Sequence, residues 1–319
     1  MDVRVAGVEL VAQLTGPGSV NETDRRWDVH GTDLGHSFLH RGALWMVFGD
    51  TFGAGKRHWR SNALARIADP DPRNGLRFER MITDRRGRAR ELLGSRKVDG
   101  DEQTVIPTYG VSTGDRMVLH YMSVRHFGRP GTWEVNHAGL AWSDDDGEHW
   151  RLHPRARWAG TGNFAQVAFV PDGDVVYALG IPAGRFGGAQ LARAATGALL
   201  EPGAWGYWDG QGWAPDPARA VTVVPAPVGE LSVRWNRWGD CWLLMTLDEH
   251  RAAVVLRTAA RLAGPWSEPQ VVTTAREHPQ LYAPFMTPLP DGEPEVWFTL
   301  SLFGPYNVFL LRMTLEAQA

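Results

Sequence analysis

The sequence predicts an all-β fold: a five-bladed β-propeller, built from residues 1–319 as one domain and closed by an N-terminal strand. Three observations carry this expectation. The chain holds 15 tryptophans and 36 glycines in 319 residues, and rigid aromatics mixed with turn formers suit many short strands. A turn of Asn or Asp, Gly, two variable residues and a large aromatic recurs as Asn74-Gly75 to Phe78, Asp146-Gly147 to Trp150 and Asp209-Gly210 to Trp213. No segment has the length and 3.6-residue period of a substantial helix.

The blades can be read in order. The first is the hairpin GTDLGHSFLHRGALWMVFGDTFG, with Arg41-Gly42 as its turn. Later strand pairs are TVIPTYGVSTGDRMVLHYMSV, FAQVAFVPDGDVVYALGIP, ELSVRWNRWGDCWLLMTL and YAPFMTPLPDGEPEVWFTLSL. Their turns, Thr113-Gly114-Asp115, Asp172-Gly173-Asp174, Gly239-Asp240 and Asp291-Gly292, use residues that tolerate hairpin backbone. A third apolar strand follows each pair and carries Arg66, Trp142, Arg193, Arg257 or Arg312 at one corresponding place. Four units then add a fourth strand after the turn motif; the fifth stops at MTLEAQA. The surplus N-terminal strand VRVAGVELVAQL fills that gap by pairing the two chain ends. The rival arrangement is a two-sheet sandwich.

Composition narrows the function. A net charge of -3 with scattered arginines leaves no footprint for nucleic acid, so the expected partner is uncharged or small; with the site chemistry below, a carbohydrate polymer or oligosaccharide met by a monomer is expected. The lone Cys241 lies in the apolar run CWLLMTL and reads as a buried structural thiol. The N-terminus reads as neither signal peptide nor membrane anchor. A cytoplasmic location is expected unless the chain is exported by another route or its signal is missing.

Chemistry concentrates in blade one. If the turn centres on Arg41-Gly42, positions summing to 83 face each other, which makes Asp33 and Asp50 cross-strand neighbours ~4.5–5.5 Å apart at Cβ. Two carboxylates that close repel unless a proton, metal or substrate holds them. In a propeller the innermost strands line a central channel, so both acids are expected at one mouth. The other inner segments offer Thr104 and Thr108, Asn163 and Gln166, Glu230 and Ser232, and Tyr282. One unequal site, with Glu230 as a third carboxylate, fits an enzyme better than a lectin with repeated sites.

Paired carboxyls without a Ser/His/Asp pattern or Cys/His metal spacing point to glycoside hydrolysis, in which one protonates the leaving oxygen and the other is base or nucleophile. A separation of ~5–5.5 Å implies retention and ~6.5–9.5 Å inversion; the sequence leaves both open. Trp59, Trp133, Trp235, Tyr282 and Tyr306 are aromatics expected near the mouth, able to stack on sugar rings. His36, His126 and His137 form no metal spacing. No cofactor is expected, although Asp33, Asp50 and Glu230 are hard oxygen ligands that suit calcium. SDDDGEHW, Ser143 to Trp150, has the form of a sialidase-type Asp-box, a turn braced by Ser and Asp with a packed Trp, and reads as structural.

The motifs GTDLGHSF and WMVFGDTFG resemble the family known as domain of unknown function 4185, classed as glycoside hydrolase family 183, the endo-D-arabinanases. Softer matches are RSNALA at Arg60, EQTVIPT at Glu102, the Trp133 and SDDDG stretch, NFAQ at Asn163, GELSVRWN at Gly229 and SLFGPYNV at Ser301. The resemblance implies a five-bladed propeller that cleaves internal linkages of D-arabinan, the furanose polymer of actinobacterial cell walls. It also implies catalytic carboxylates at the motifs of Asp33 and Asp50. The full substrate-binding set expected is Asn62, Thr104, Trp133, Asn163, Gln166, Trp235, Tyr282 and Tyr306. Two features depart from the implied activity: the missing export signal, and compact blades with few long loops for an extended groove. The rivals are another propeller glycosidase, such as a sialidase, and a non-catalytic glycan-binding propeller.

Overall fold

A computed structural model describes residues 3–290 and 292–317. Five antiparallel sheets form the blades of a β-propeller. Blade one comprises Gly31–His40, Ala43–Phe52, Ala63–Ile67 and Arg80–Met81; blade two, Thr104–Ser112, Met117–Phe127, Trp133–Ser143 and Arg151–Ala159. Blade four comprises Leu231–Asn236, Cys241–Asp248, Ala253–Ala259 and Gln270–Thr274. Blade five joins Leu281–Met286, Glu295–Leu302 and Asn307–Ala317 to the N-terminal strand Val3–Gln13, which runs from Val3 opposite Ala317 to Gln13 opposite Phe309. The chain ends thus close the ring as expected. Among the described residues the one α-helix is Thr23–Trp27, and no helix is long and apolar enough to cross a membrane.

Blade three departs from the expected plan. Its first three strands are Gln166–Asp172, Val175–Ile181 and Ala189–Ala195, but its fourth is Gly206–Trp208, ahead of the Asp209-Gly210 turn. That turn leads into a short fifth strand, Trp213–Ala214, and Thr222–Val224 pairs separately with the third strand. Arg193 stacks on Trp213, 4.2 Å from the ring centroid, so the aromatic of the motif packs on its own blade's edge.

Local chemistry explains the elements. Arg41 and Gly42 both have positive φ (49° and 77°), the twist a two-residue hairpin turn requires. Asp291 of the fifth hairpin turn lies outside the described residues. Strands near the channel are buried on both faces, as in Ala43–Phe52, whereas the outer strands Val3–Gln13 and Arg151–Ala159 are largely exposed. Blades are sealed by apolar side chains such as Trp45, 1% exposed, with Leu64, Met117 and Leu119. Truncating such an indole costs about 3–5 kcal/mol. Hydroxyls add bonds between inner strands: Thr108 Oγ1 accepts from Val167 N (3.3 Å), and Ser232 Oγ accepts from Met286 N (2.9 Å) and donates to Pro284 O (3.3 Å). Thr108 and Ser232 are therefore struts between blades.

In the Asp-box, Ser143 Oγ donates to Asp145 Oδ1 (2.9 Å) and accepts from Gly147 N (3.0 Å), while Asp145 Oδ1 also accepts from His149 N (2.8 Å). Trp150 closes the turn by donating to Gly147 O (3.0 Å) and packs against Leu64 and Leu93 clusters. The box is a structural turn.

Candidate active site

Every inner strand runs in the same sense along the channel, so their N-terminal ends share one mouth. That mouth collects Asp33, Thr104, Gln166, Glu230 just before Leu231, and Tyr282. The C-terminal ends form the opposite mouth. Between them His36 stacks on Tyr109 (5.2 Å between centroids) and meets Phe285 edge-on (5.6 Å), a ring layer across the channel. His36 has both ring nitrogens buried without partners, and burial pushes it down to about 3, so it is a neutral plug.

The blade-one hairpin carries a correction. The sum rule holds from His40 opposite Ala43 to His36 opposite Val47, breaks at Leu34 opposite Phe48, and returns at Thr32 opposite Thr51. Two compensating bulges produce this: Gly35 is extra on the first strand, and Gly49-Asp50 faces Asp33 on the second. Asp33 and Asp50 are thus not a plain opposed pair. Leu34 and Gly35 take φ of 66° and 79°, and a Cβ on Gly35 would stand 2.7 Å from Val308. A Cβ on Gly49 would stand 2.4 Å from Asp33 Oδ1, so Gly49 makes room for the carboxyl. Ala283 (φ 51°) beside Tyr282, and Tyr306 (φ 53°) itself, are also left-handed, and such strain collects at functional sites.

Asp33 Oδ2 accepts from the hydroxyls of Tyr282 (3.0 Å) and Tyr306 (3.1 Å), while Oδ1 is buried without a partner. Burial, then the neighbouring Asp50 carboxylate, pushes Asp33 up to about 7 against those two donations. Asp50 Oδ1 accepts from Thr104 Oγ1 (2.6 Å) and Trp59 Nε1 (2.7 Å); burial pushes it up to about 6 despite them, with Lys97 pulling down. Lys97 lies 5.0 Å from the Trp59 ring and bonds Ser61 Oγ (3.0 Å). Burial and Asp33 raise both tyrosines well above their ordinary range, which keeps their hydroxyls protonated as donors. One buried acid therefore holds its proton near neutrality beside a second that releases it more readily, the combination that general acid–base chemistry requires.

Glu230 is 8% exposed, and the ion pair expected for it is with Arg234. Arg185 pairs with it, donating from Nε (3.0 Å) and Nη2 (2.8 Å) to Glu230 Oε1 and from Nη1 to Glu249 Oε1 (2.8 Å). Glu230 Oε2 stays buried and unpartnered. The guanidinium also lies over Tyr282 (5.2 Å) and Trp133 (5.7 Å). Sequence reasoning missed Arg185, Glu249 and Lys97. Arg185 sits in the aperiodic loop GIPAGRFGGA, where a lone cation among uncharged residues is the one available signal.

Other expected binding residues lie elsewhere or are fully engaged. Asn62 is 0% exposed: its amide donates to Leu93 O and Val105 O and its oxygen accepts from Leu92 N and Leu93 N. It braces backbone and has no atom for a ligand. Asn163 donates to Gly188 O (3.0 Å), and Gln166 holds the Arg185 loop through Gly184 O (3.0 Å). Trp235 belongs to the opposite mouth, because it lies near the C-terminal end of its inner strand and packs edge-on against Trp242 (5.3 Å). There it lines a cavity of about 750 Å³ with Phe38, Val111, Asp172 and Pro288. His126 is paired with Asp99 (2.7 Å), and His137 lies edge-on to Tyr121 (5.9 Å), away from the carboxyl pair. Among the described residues no three His, Cys, Asp or Glu side chains group as metal ligands.

Solved structures share the propeller. An α-L-arabinofuranosidase from Podospora anserina aligns over 98% of both chains with a TM-score of 0.52 and 10% identity. A family 117 glycoside hydrolase from Zobellia galactanivorans aligns over 97% of this chain and 90% of its own, with a TM-score of 0.54 and 11% identity. At such identities the likeness concerns the fold. By sequence the chain is 31% identical over 305 residues to notoamide biosynthesis cluster protein J′ of Aspergillus versicolor, covering 86% of this chain and 81% of that protein. Residues 18–312, from just after the closing strand almost to the end of blade five, match the family described as Domain of unknown function (DUF4185), and the chain belongs to that family.

Proposed function

We propose that the protein is a glycoside hydrolase that cleaves arabinofuranosyl linkages, endo-acting on D-arabinan as the resemblance to glycoside hydrolase family 183 implies. The observation that carries this reading is the pair of buried acids at one mouth, Asp33 raised to about 7 and Asp50 to about 6, each held by its own neutral donors. Asp33 carries the proton at neutral pH and gives it to the leaving glycosidic oxygen. With Oδ2 already accepting from two tyrosines, the proton belongs on Oδ1. Asp50, fixed by Thr104 and Trp59, is the ionised partner that acts as nucleophile or base. The propeller it shares with glycoside hydrolases supports the reaction class. A tyrosine nucleophile is disfavoured because both tyrosines are held protonated.

The test is incubation of the parent, Asp33→Asn and Asp50→Asn with D-arabinan, with released oligosaccharides followed by chromatography. Products from the parent alone support the reading; intact polymer with all three proteins rejects arabinan as substrate. A second reading rests on the likeness to notoamide cluster proteins: the same acids would act on a small molecule. Hydrolysis of an aryl arabinofuranoside with no action on D-arabinan would favour it.

A further inference from the structure

Resting on the hydrolase reading of this mouth, we infer that Arg185 and Glu230 together select a neutral sugar and exclude a carboxylate-bearing one, with Glu230 Oε2 accepting a substrate hydroxyl.

An arginine usually meets a carboxylate fork to fork, one N–H on each oxygen. Here Nε and Nη2 both land on Oε1 of Glu230, and Nη1 is turned to Glu249. Three donor groups of the guanidinium are therefore spent on protein carboxylates. Oε2 of Glu230 is left buried with no hydrogen-bond partner, and an unsatisfied buried oxygen on a charged group is costly. Two further orphans stand around the same guanidinium. Trp133 Nε1 is a buried donor without an acceptor, its ring 5.7 Å from Arg185. Asp33 Oδ1, which carries the proton of its carboxyl at neutral pH, is buried without a partner, on the carboxyl bonded to Tyr282, whose ring is 5.2 Å from Arg185.

One orphan acceptor, Glu230 Oε2, and two orphan donors, Trp133 Nε1 and protonated Asp33 Oδ1, complement the hydroxyls of a sugar, since each hydroxyl gives one hydrogen and accepts others. A carboxylate offers acceptors alone, so it would leave Glu230 Oε2 unsatisfied and set a third negative charge beside Glu230 and Glu249. With three of its five N–H given to those two carboxylates, the arginine has no uncompensated charge for such an anchor. Its loop is also pinned: Arg185 N donates to Gly131 O (3.0 Å), Gln166 Nε2 to Gly184 O (3.0 Å) and Val228 N to Gly187 O (2.8 Å). Arg185 is thus a positioning residue for Glu230, held by blades two, three and four.

The test measures binding, so that it does not depend on turnover. Calorimetry on the Asp50→Asn protein uses neutral oligosaccharides of arabinan, xylan and galactan, each alongside a sample whose primary hydroxyls have been oxidised to carboxylates where the sugar carries them. A bound neutral sugar is expected to exceed its oxidised form by about tenfold or more, the scale of one hydrogen bond to a charged group. Adding Glu230→Gln, which keeps an acceptor for Arg185 but replaces Oε2 by a donor, is expected to weaken the neutral ligand about tenfold and to shrink that ratio. Adding Arg185→Lys is expected to weaken neutral binding while circular dichroism stays unchanged. Oxidised ligands that match or exceed the neutral ones, or Glu230→Gln without effect on either, overturn the inference. So does the absence of binding to every neutral sugar. Binding of xylan or galactan fragments but not arabinan leaves the neutral-sugar inference standing and removes the proposed substrate.

Discussion

The two mouths of the channel are built from the same five inner strands and differ in what they bury. The end near Trp235 opens into a cavity of about 750 Å³, lined by aromatics, aliphatics and arginines, with Arg234 donating to the backbone at Thr287 O (2.6 Å) and Pro290 O (2.7 Å). The end near Asp33 holds two carboxyls displaced toward neutrality and three orphan polar atoms, Asp33 Oδ1, Glu230 Oε2 and Trp133 Nε1. A cavity marks one mouth and unsatisfied polar chemistry the other. The difference teaches that buried polar atoms without partners, rather than cavity volume, recommend the Asp33 mouth as the candidate site.

The largest expected effect falls on the Asp33 mouth. Asp33→Asn and Asp50→Asn are each expected to lower hydrolysis about 10²–10⁴-fold, the range of a lost general acid or base, measured as initial rate. An active double variant would break the contrast between the mouths. Next, Arg185→Ala leaves Glu230 and Glu249 without their cation, and a broken buried pair costs about 3–5 kcal/mol; urea unfolding of parent and variant reads it.

The third effect depends on pH. Asp33 is raised from 3.8 to about 7, so between those values the folded chain binds more protons than the unfolded one, and this group's contribution to stability falls as pH rises through that window. Asp33→Asn removes the dependence. Relative to the parent, it is expected to gain on the order of 4 kcal/mol more at pH 8 than at pH 4, read from paired unfolding curves. The smallest effect is at the Trp235 mouth. Trp235→Ala loses one edge-on contact with Trp242, about 1 kcal/mol, and is expected to leave the hydrolysis rate within about twofold. A large loss of rate there would reverse the assignment of the two mouths.

Much of this was legible in the sequence because propeller strands carry local signals. Hairpin turns such as Arg41-Gly42 mark the blades, and the surplus strand at Val3 to Gln13 foretells the closure. Asp33 and Asp50 stood out because both border one hairpin. Their pairing was misread because two bulges cancel in the residue count, so the sum of 83 survives at Thr32–Thr51 while the pleat between is shifted. The mouth of Trp235 follows from strand direction alone, as it lies fifth in Leu231–Asn236 whereas Glu230 precedes that strand. Asn62 shows the weakness of a motif without context, since a buried asparagine serves backbone as readily as ligand. Arg185 was hidden for a different reason. Its partners lie 45 and 64 residues further on, and no periodicity links an irregular loop to strands of another blade.

The most direct test of a charge-coupled acid pair at the Asp33 mouth is a carbon-13 NMR titration of aspartate-labelled protein, with Asp33→Asn and Asp50→Asn spectra to assign the signals. Asp33 is expected to titrate near pH 7 and to shift lower when Asp50 is replaced, because a neighbouring charge is then gone. Titration of both carboxyls below about pH 4.5, with neither responding to loss of the other, would contradict an acid–base pair at that site.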